Sequence, residues 1–225
     1  MKVMGKILIF FGGTMFLLGA AGPAYTSLTV IGTAQFGGMG TEYNLIWEDN
    51  NNGNSLVWLD FTHGYETWPD QMSWASGLDG TLTINPSGYE ISWQDTSWRL
   101  PTSPSKGSGA NITTSEMGYL YYTELGNSFS YFGGGFVNSG PFENIYPGYT
   151  WSSTNDPSPY HQRAWWFNFN TGEQGWSNYT IPGVKAMGLA VRSAEVSAVP
   201  IPCAAWLLGS GLMGLIAVQR RKNTI

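Results

Sequence analysis

Apolar positions along the 225-residue chain fall into two contrasting patterns. Near the two ends they form long, nearly unbroken runs, residues 7–18 and 203–218, whereas between them they come in short runs rich in Trp and Tyr, separated by Gly, Asn, Ser and Thr. The short runs predict strands and the separators predict turns. Leu45-Ile46-Trp47 and Leu56-Val57-Trp58-Leu59 are extended segments on either side of a turn-rich loop, 48–54. Residues 70–78 predict a first helix, with Met72, Ala75 and Leu78 at three-residue spacing and Trp68-Pro69 leading in. Residues 81–84 and 89–93 alternate like the arms of a hairpin around Asn85-Pro86-Ser87-Gly88. A second helix, 116–125, is capped by Thr114 or Ser115 and carries Met117, Leu120, Tyr121 and Leu125 on one face. Beyond it lie a Gly-rich aromatic loop region at 127–149, a short strand at 149–152, a hairpin arm at 164–169 turning at Asn170-Thr171-Gly172, and a closing strand at 188–192. Two early helices and several short antiparallel strands predict an α+β domain. No fixed-period repeat is present, so solenoid and propeller readings have no support.

The end runs read as delivery segments. Lys2 and Lys6 precede the apolar run 7–18, and Gly22 and Ala24 offer a small-residue exit, which predicts a signal peptide at 1–24; cutting after Ala20 or Ala21 fits nearly as well. At the other end, Val199-Pro200-Ile201-Pro202 leads into residues 203–218, followed by Arg220-Arg221-Lys222. Sixteen helical residues span about 24 Å, short of the roughly 20 residues a bilayer core takes. Tilt or local thinning makes up such a difference, and the basic cluster fits a cytoplasmic end. This pattern predicts a C-terminal transmembrane helix, 203–218, that holds the chain in the membrane before processing, with the domain 25–195 exported and residues 196–225 forming a sorting segment.

Charge and cysteine content narrow the central part. Without its two ends the chain keeps five basic residues, Arg99, Lys106, Arg163, Lys185 and Arg192, against fifteen acidic ones, a net charge of −10. Such a domain repels phosphate backbones, which excludes nucleic acid as a partner. The sole cysteine, Cys203, lies outside it, so no internal disulfide holds the fold. About 170 residues suffice for one core without such a bridge, and the tryptophans supply it.

Taken in order, Leu56-Val57-Trp58, the 70–78 helix with Trp74 and Ala75, Trp98-Arg99-Leu100-Pro101-Thr102, Ser115-Glu116-Met117, Tyr149-Thr150-Trp151-Ser152-Ser153-Thr154, Ala164-Trp165-Trp166-Phe167-Asn168-Phe169 and Leu189-Ala190-Val191-Arg192 resemble the Lcl C-terminal domain family over roughly 44–193. The resemblance implies a C-type-lectin-like fold and binding at a cell surface rather than catalysis. Many relatives carry cysteines in the helix and closing strand; this chain has none at 75–78 or 191–193. The tail resembles the Val-Pro-x-Pro variant of the PEP-CTERM sorting signal in Val199, Pro200, Ile201, Pro202 and the basic Arg220, Arg221 and Lys222. That likeness implies recognition by a membrane exosortase during export. Cys203 is read as an inert small residue, since Pro200-Ile201-Pro202 is no lipobox.

Candidate chemistry is sparse. Glu48, Asp49, Asn50, Asn52, Asn54 and Asp60 offer the oxygens calcium prefers, but their spacing is not that of an EF-hand. Asp156 and Glu143-Asn144 mark further oxygen-rich loops, and the Glu-Pro-Asn or Gln-Pro-Asp sugar-reading tripeptide is absent. Arg99, Arg163 and Arg192 are expected to pair with carboxylates rather than meet a ligand. Ser152 or Ser153 with His161 and Asp156 is the best triad that can be assembled, without a Gly-x-Ser-x-Gly motif around either serine. His63 and His161, the two imidazoles, are too few for the usual zinc sets. The stronger clue is a set of aromatic loop residues, Tyr131, Phe132, Phe136, Tyr146, Tyr149, Tyr160 and Trp176, of which a minority on one face form a saccharide or protein patch. The expectation is therefore an exported, non-catalytic surface or matrix protein that needs no cofactor, with calcium as the one candidate ion; the alternative is an exported polysaccharide-active hydrolase.

Overall fold

The computed structural model describes residues 28–37, 40–104, 107–156 and 162–200. In chain order the elements are β1 (Leu28–Phe36), β2 (Glu42–Asn51), β3 (Asn54–Glu66), α1 (Trp68–Ser76), β4 (Leu82–Pro86), β5 (Tyr89–Trp93), α2 (Glu116–Tyr119), β6 (Tyr149–Asp156), β7 (Arg163–Asn168), β8 (Glu173–Asn178) and β9 (Ala186–Ala198). They form an open sheet in the order β4-β1-β2-β3-β9-β6-β7-β8, with β5 on the far half of β9. Every pairing is antiparallel except β6 with β9.

The uninterrupted run Leu56-Val57-Trp58-Leu59 marks a strand covered on both faces. Leu56 and Trp58 enter one core with Ile46, Leu189, Val191 and the α2 residue Met117, while Val57 and Leu59 enter another with Leu45, Ala190, Ile31 and Trp98. Register fixes this division, because Trp58 stands opposite Ile46 and Val191, and Leu59 opposite Leu45 and Ala190. Each fully buried side chain of this size contributes about 1.5–3 kcal/mol. A third core, Ala75, Leu100, Trp151, Ala164 and Ala186, lies between α1 and the β6–β7 end.

Helix α1 starts where Thr67 accepts a hydrogen bond from Asp70 N, and stops at Gly77. Ser115 caps α2 through Gly118 N at 3.0 Å. After one turn the helix widens into a π turn, Leu120–Glu124, closed by Leu125 N to Leu120 O at 2.9 Å.

Three local expectations change. The polar stretch 48–54 is not a loop: β2 continues to Asn51, and the reversal takes two residues, Asn52 and Gly53, with φ of 51° and 88°. Positive φ at both centres is the type I′ geometry that matches strand twist. The segments expected to pair as a hairpin separate instead, β4 to β1 and β5 to β9. The second helix is one α turn plus a π turn rather than ten α-helical residues.

The expected C-type-lectin-like fold of short strands with a transmembrane helix is also corrected. The described residues have a mixed α+β fold with two short helices and an open, mostly antiparallel sheet whose strands reach 13 residues in β3 and β9. Among the described residues no helix is long and apolar enough to cross a membrane. The expected membrane anchoring has no such helix behind it there; residues 203–218, to which it was assigned, lie outside the described residues, as does the signal segment 1–24.

Candidate binding surface

Residues 127–148 connect the π turn to β6 without regular structure, yet almost every bend has a fixed partner. Asn127 accepts hydrogen bonds from Val137 N and Asn138 N at 3.0 and 2.9 Å and donates to Asn138 O at 2.8 Å. Ser130 N donates to Thr171 O, Gly135 N to Asn170 O, and Gly134 N to the Asn170 side chain. The return half is held from below by Asp60, fully buried on β3. Its carboxylate accepts from Glu143 N and Asn144 N, each at 2.9 Å, and from Asn144 Nδ2 at 3.1 Å. Thr62 adds a bond to Asn144 O and accepts one from Tyr146 N. Phe142 is inserted into the core against Trp58, and Phe136 packs beside Tyr121.

What this scaffold presents is apolar. Phe132 is 97% exposed, Val137 82% and Tyr131 79%, with the Tyr131 and Phe132 rings edge-to-face at 5.2 Å. Gly140, φ 55°, lets the loop turn back where ordinary residues are strained. Toward β6, Tyr146 and Tyr149 are exposed beside Tyr65, and Tyr149 meets Trp166 edge-to-face at 4.8 Å. That end opens on a 280 Å³ recess lined by Tyr149, Trp151, Trp166, Ser177 and Lys185.

The remaining residues singled out in the sequence take structural places. Arg99 makes a two-pronged pair with Glu116, at 2.8 and 2.9 Å, and Glu116 also accepts from Thr102 N. Burial works against the charge of Asp95, but the Ser193 N–H and Arg99 hold it below the usual carboxylate range. Arg163 lies 3.5 Å over the Trp176 ring, and Arg192 pairs with Asp79 and covers Trp93. Val199 donates to Gly88 O and Pro200 is exposed; Ile201, Pro202, Arg220, Arg221 and Lys222 lie outside the described residues. So do His161 and Tyr160.

The calcium expectation meets the wrong chemistry. Asp60 is surrounded by N–H donors, and Glu48 is fully buried, accepting from Trp58 Nε1 at 2.6 Å and Asn51 Nδ2 at 2.9 Å. Burial pushes the Glu48 carboxyl up to about 8, against those two hydrogen bonds and with help from the charges of Glu124 and Glu116. A buried carboxyl whose burial favours the protonated form, and whose Oε2 already accepts two hydrogen bonds, is a poor cation ligand. Among the described residues no three His, Cys, Asp or Glu side chains stand together as a metal site. The serines of the best triad that could be assembled are likewise engaged: Ser152 is fully buried and accepts from Thr154 N, and Ser153 donates to Pro101 O.

No protein family, no curated protein and no solved structure matches the chain. The likenesses to the Lcl domain and to the sorting signal therefore rest on their residues alone.

Proposed function

We propose that this protein is a non-catalytic binding protein whose contact surface is the aromatic end of loop 127–148. The observation that supports this most strongly is Phe132, held in solvent on a loop tied at its base through Asn127, Asn170 and Asp60. A free loop would fold such a ring inward; a tied one keeps it available and has already lost the entropy that binding otherwise costs. A phenyl ring has no hydrogen-bonding atom, so its recognition needs an apolar recess that removes it from water. That requirement favours a protein partner over a hydrated glycan. The test is a photo-crosslinkable benzoylphenylalanine in place of Phe132 in the full chain within its own cells. A crosslink to one protein species, lost on Tyr131→Ala, is expected; crosslinks to polysaccharide alone, or none, overturn the reading. Recognition of residues 199–222 by an exosortase is a separate proposal that rests on the likeness of the tail. Mass spectrometry of the mature C-terminus tests it, and an intact tail in mature protein counts against it.

A further inference from the structure

A second aromatic site lies away from the loop, under α1. A cleft of 480 Å³ opens there, walled by Phe36, Phe61, His63, Trp74 and Leu78, with Thr81 at its edge. The size is that of a small-molecule pocket. Its walls are mutually fixed: His63 stacks on Trp74 with centroids 4.6 Å apart and planes 7° apart, Phe61 leans on Trp74 at 6.2 Å, and Phe36 meets Phe61 edge-to-face at 4.8 Å.

One polar atom in this cleft has its chemistry dictated from behind. Gln71 is fully buried, and its amide nitrogen donates both hydrogens, to Gly64 O at 2.6 Å and Ala186 O at 3.0 Å. Its oxygen therefore faces His63 Nδ1, 2.9 Å away, as an acceptor. Nδ1 must carry the proton, so of the two neutral tautomers the packing selects the one whose acceptor is Nε2, on the side away from Gln71. No hydrogen bond to Nε2 is made among the described residues. The hydroxyls nearby are already donating to backbone, Ser73 to Pro69 O and Thr81 to Leu78 O.

We propose that this cleft binds a small planar aromatic molecule bearing one N–H or O–H donor, the indole and phenol class. The largely apolar aromatic walls suit a flat ring laid against them, and the Nε2 acceptor suits a single donor. A pyranose is a poorer fit, because the mainly aromatic walls offer its several hydroxyls few partners. The site needs nothing from loop 127–148, so either assignment stands or falls alone.

Calorimetric titration of the full chain with indole and with 1-methylindole tests it, since the second probe keeps the ring and lacks the donor. Indole is expected to bind saturably and 1-methylindole about tenfold more weakly, a difference of about 1.4 kcal/mol. His63→Phe should make the two probes equal. Ser73→Trp, an exposed position on the cleft wall, should abolish binding of both with an unchanged unfolding curve. Equal affinities in the parent protein, or no saturable binding of indole, overturn the proposal. Long-range nitrogen NMR of the unliganded protein supplies an independent check: His63 protonated on Nδ1 agrees with it, and protonation on Nε2 alone overturns it.

Discussion

In loop 127–148 the rings of Tyr131 and Phe132 stand in solvent on a backbone tied at its base, whereas under α1 the rings of Phe61, His63 and Trp74 face a shared hollow. Aromatic rings do both, and what differs most is the support. The loop is held by many hydrogen bonds spread over Asp60, Asn127 and Asn170, each replaceable in part by its neighbours. The cleft depends on one buried amide, Gln71, and on the bare backbone of Gly188 opposite His63. A Cβ there would fall on Gln71 Oε1 and within 2.8 Å of the Trp74 ring. A convex surface can thus be made from redundant ties, while a concave one with a fixed tautomer is sensitive at single points.

The largest expected effect lies under the loop, where Glu48 holds Trp58, the ring that supports Phe142. The Glu48 carboxyl is raised from 4.5 to about 8 on folding. Its favourable contribution is therefore complete below about pH 4.5 and is lost, by about 1.4 kcal/mol per pH unit, as pH rises toward 8. Glu48→Gln keeps a neutral group of the same shape, so the variant should gain a few kcal/mol over the parent at pH 9 and little at pH 4. Denaturant unfolding across that range checks this; parallel curves would contradict it. Next comes Asp60→Ala, which strands three N–H donors and should cost about 3 kcal/mol. Hydrogen exchange at Glu143 and Asn144 should accelerate while His63 keeps its tautomer. Gly188→Ala should cost about 2 kcal/mol through overpacking and abolish indole binding, with the crosslink from position 132 retained. Smallest in stability is Phe132→Ala, expected within about 0.5 kcal/mol by thermal unfolding because the ring touches so little; its effect should fall on partner capture instead. If Phe132→Ala instead lowers stability as much as Asp60→Ala, the exposed ring is part of the fold and the contrast fails.

Sequence made the apolar centre legible: Leu56-Val57-Trp58-Leu59 reads as an extended segment, and Ser115 as one of two candidate caps of the second helix is the one used. Thr67 was missed, and α1 starts at Trp68, two residues before the expected 70–78 helix. Polar residues misled wherever tertiary neighbours bury them. Glu48 and Asn51 read as a solvated turn, but both are buried, with Trp58 donating to Glu48 and Asn51 donating to the carbonyl of Glu116. β4 and β5 carry sound local hairpin signals, and long-range pairing with β1 and β9 overrides them. β1 passed unnoticed because its apolar residues are interleaved with Thr and Gly. Of the candidate binding residues, Tyr131 and Phe132 were reachable from their setting of Gly, Asn and Ser. The cleft was not, since Gly188 meets His63 from the far end of the chain; the one local hint is the spacing of His63, Gln71 and Trp74.

β9 sits in the middle of the sheet and borders β3, β5 and β6. Among the described strands it is also the last to emerge from the ribosome. Until it arrives, the long apolar edge of β3 has nothing to pair with, and the earlier strands form an unfinished template open to wrong partners. Folding of the described sheet therefore waits on closure of distant segments, and a holding chaperone during synthesis should raise its yield more than any surface substitution.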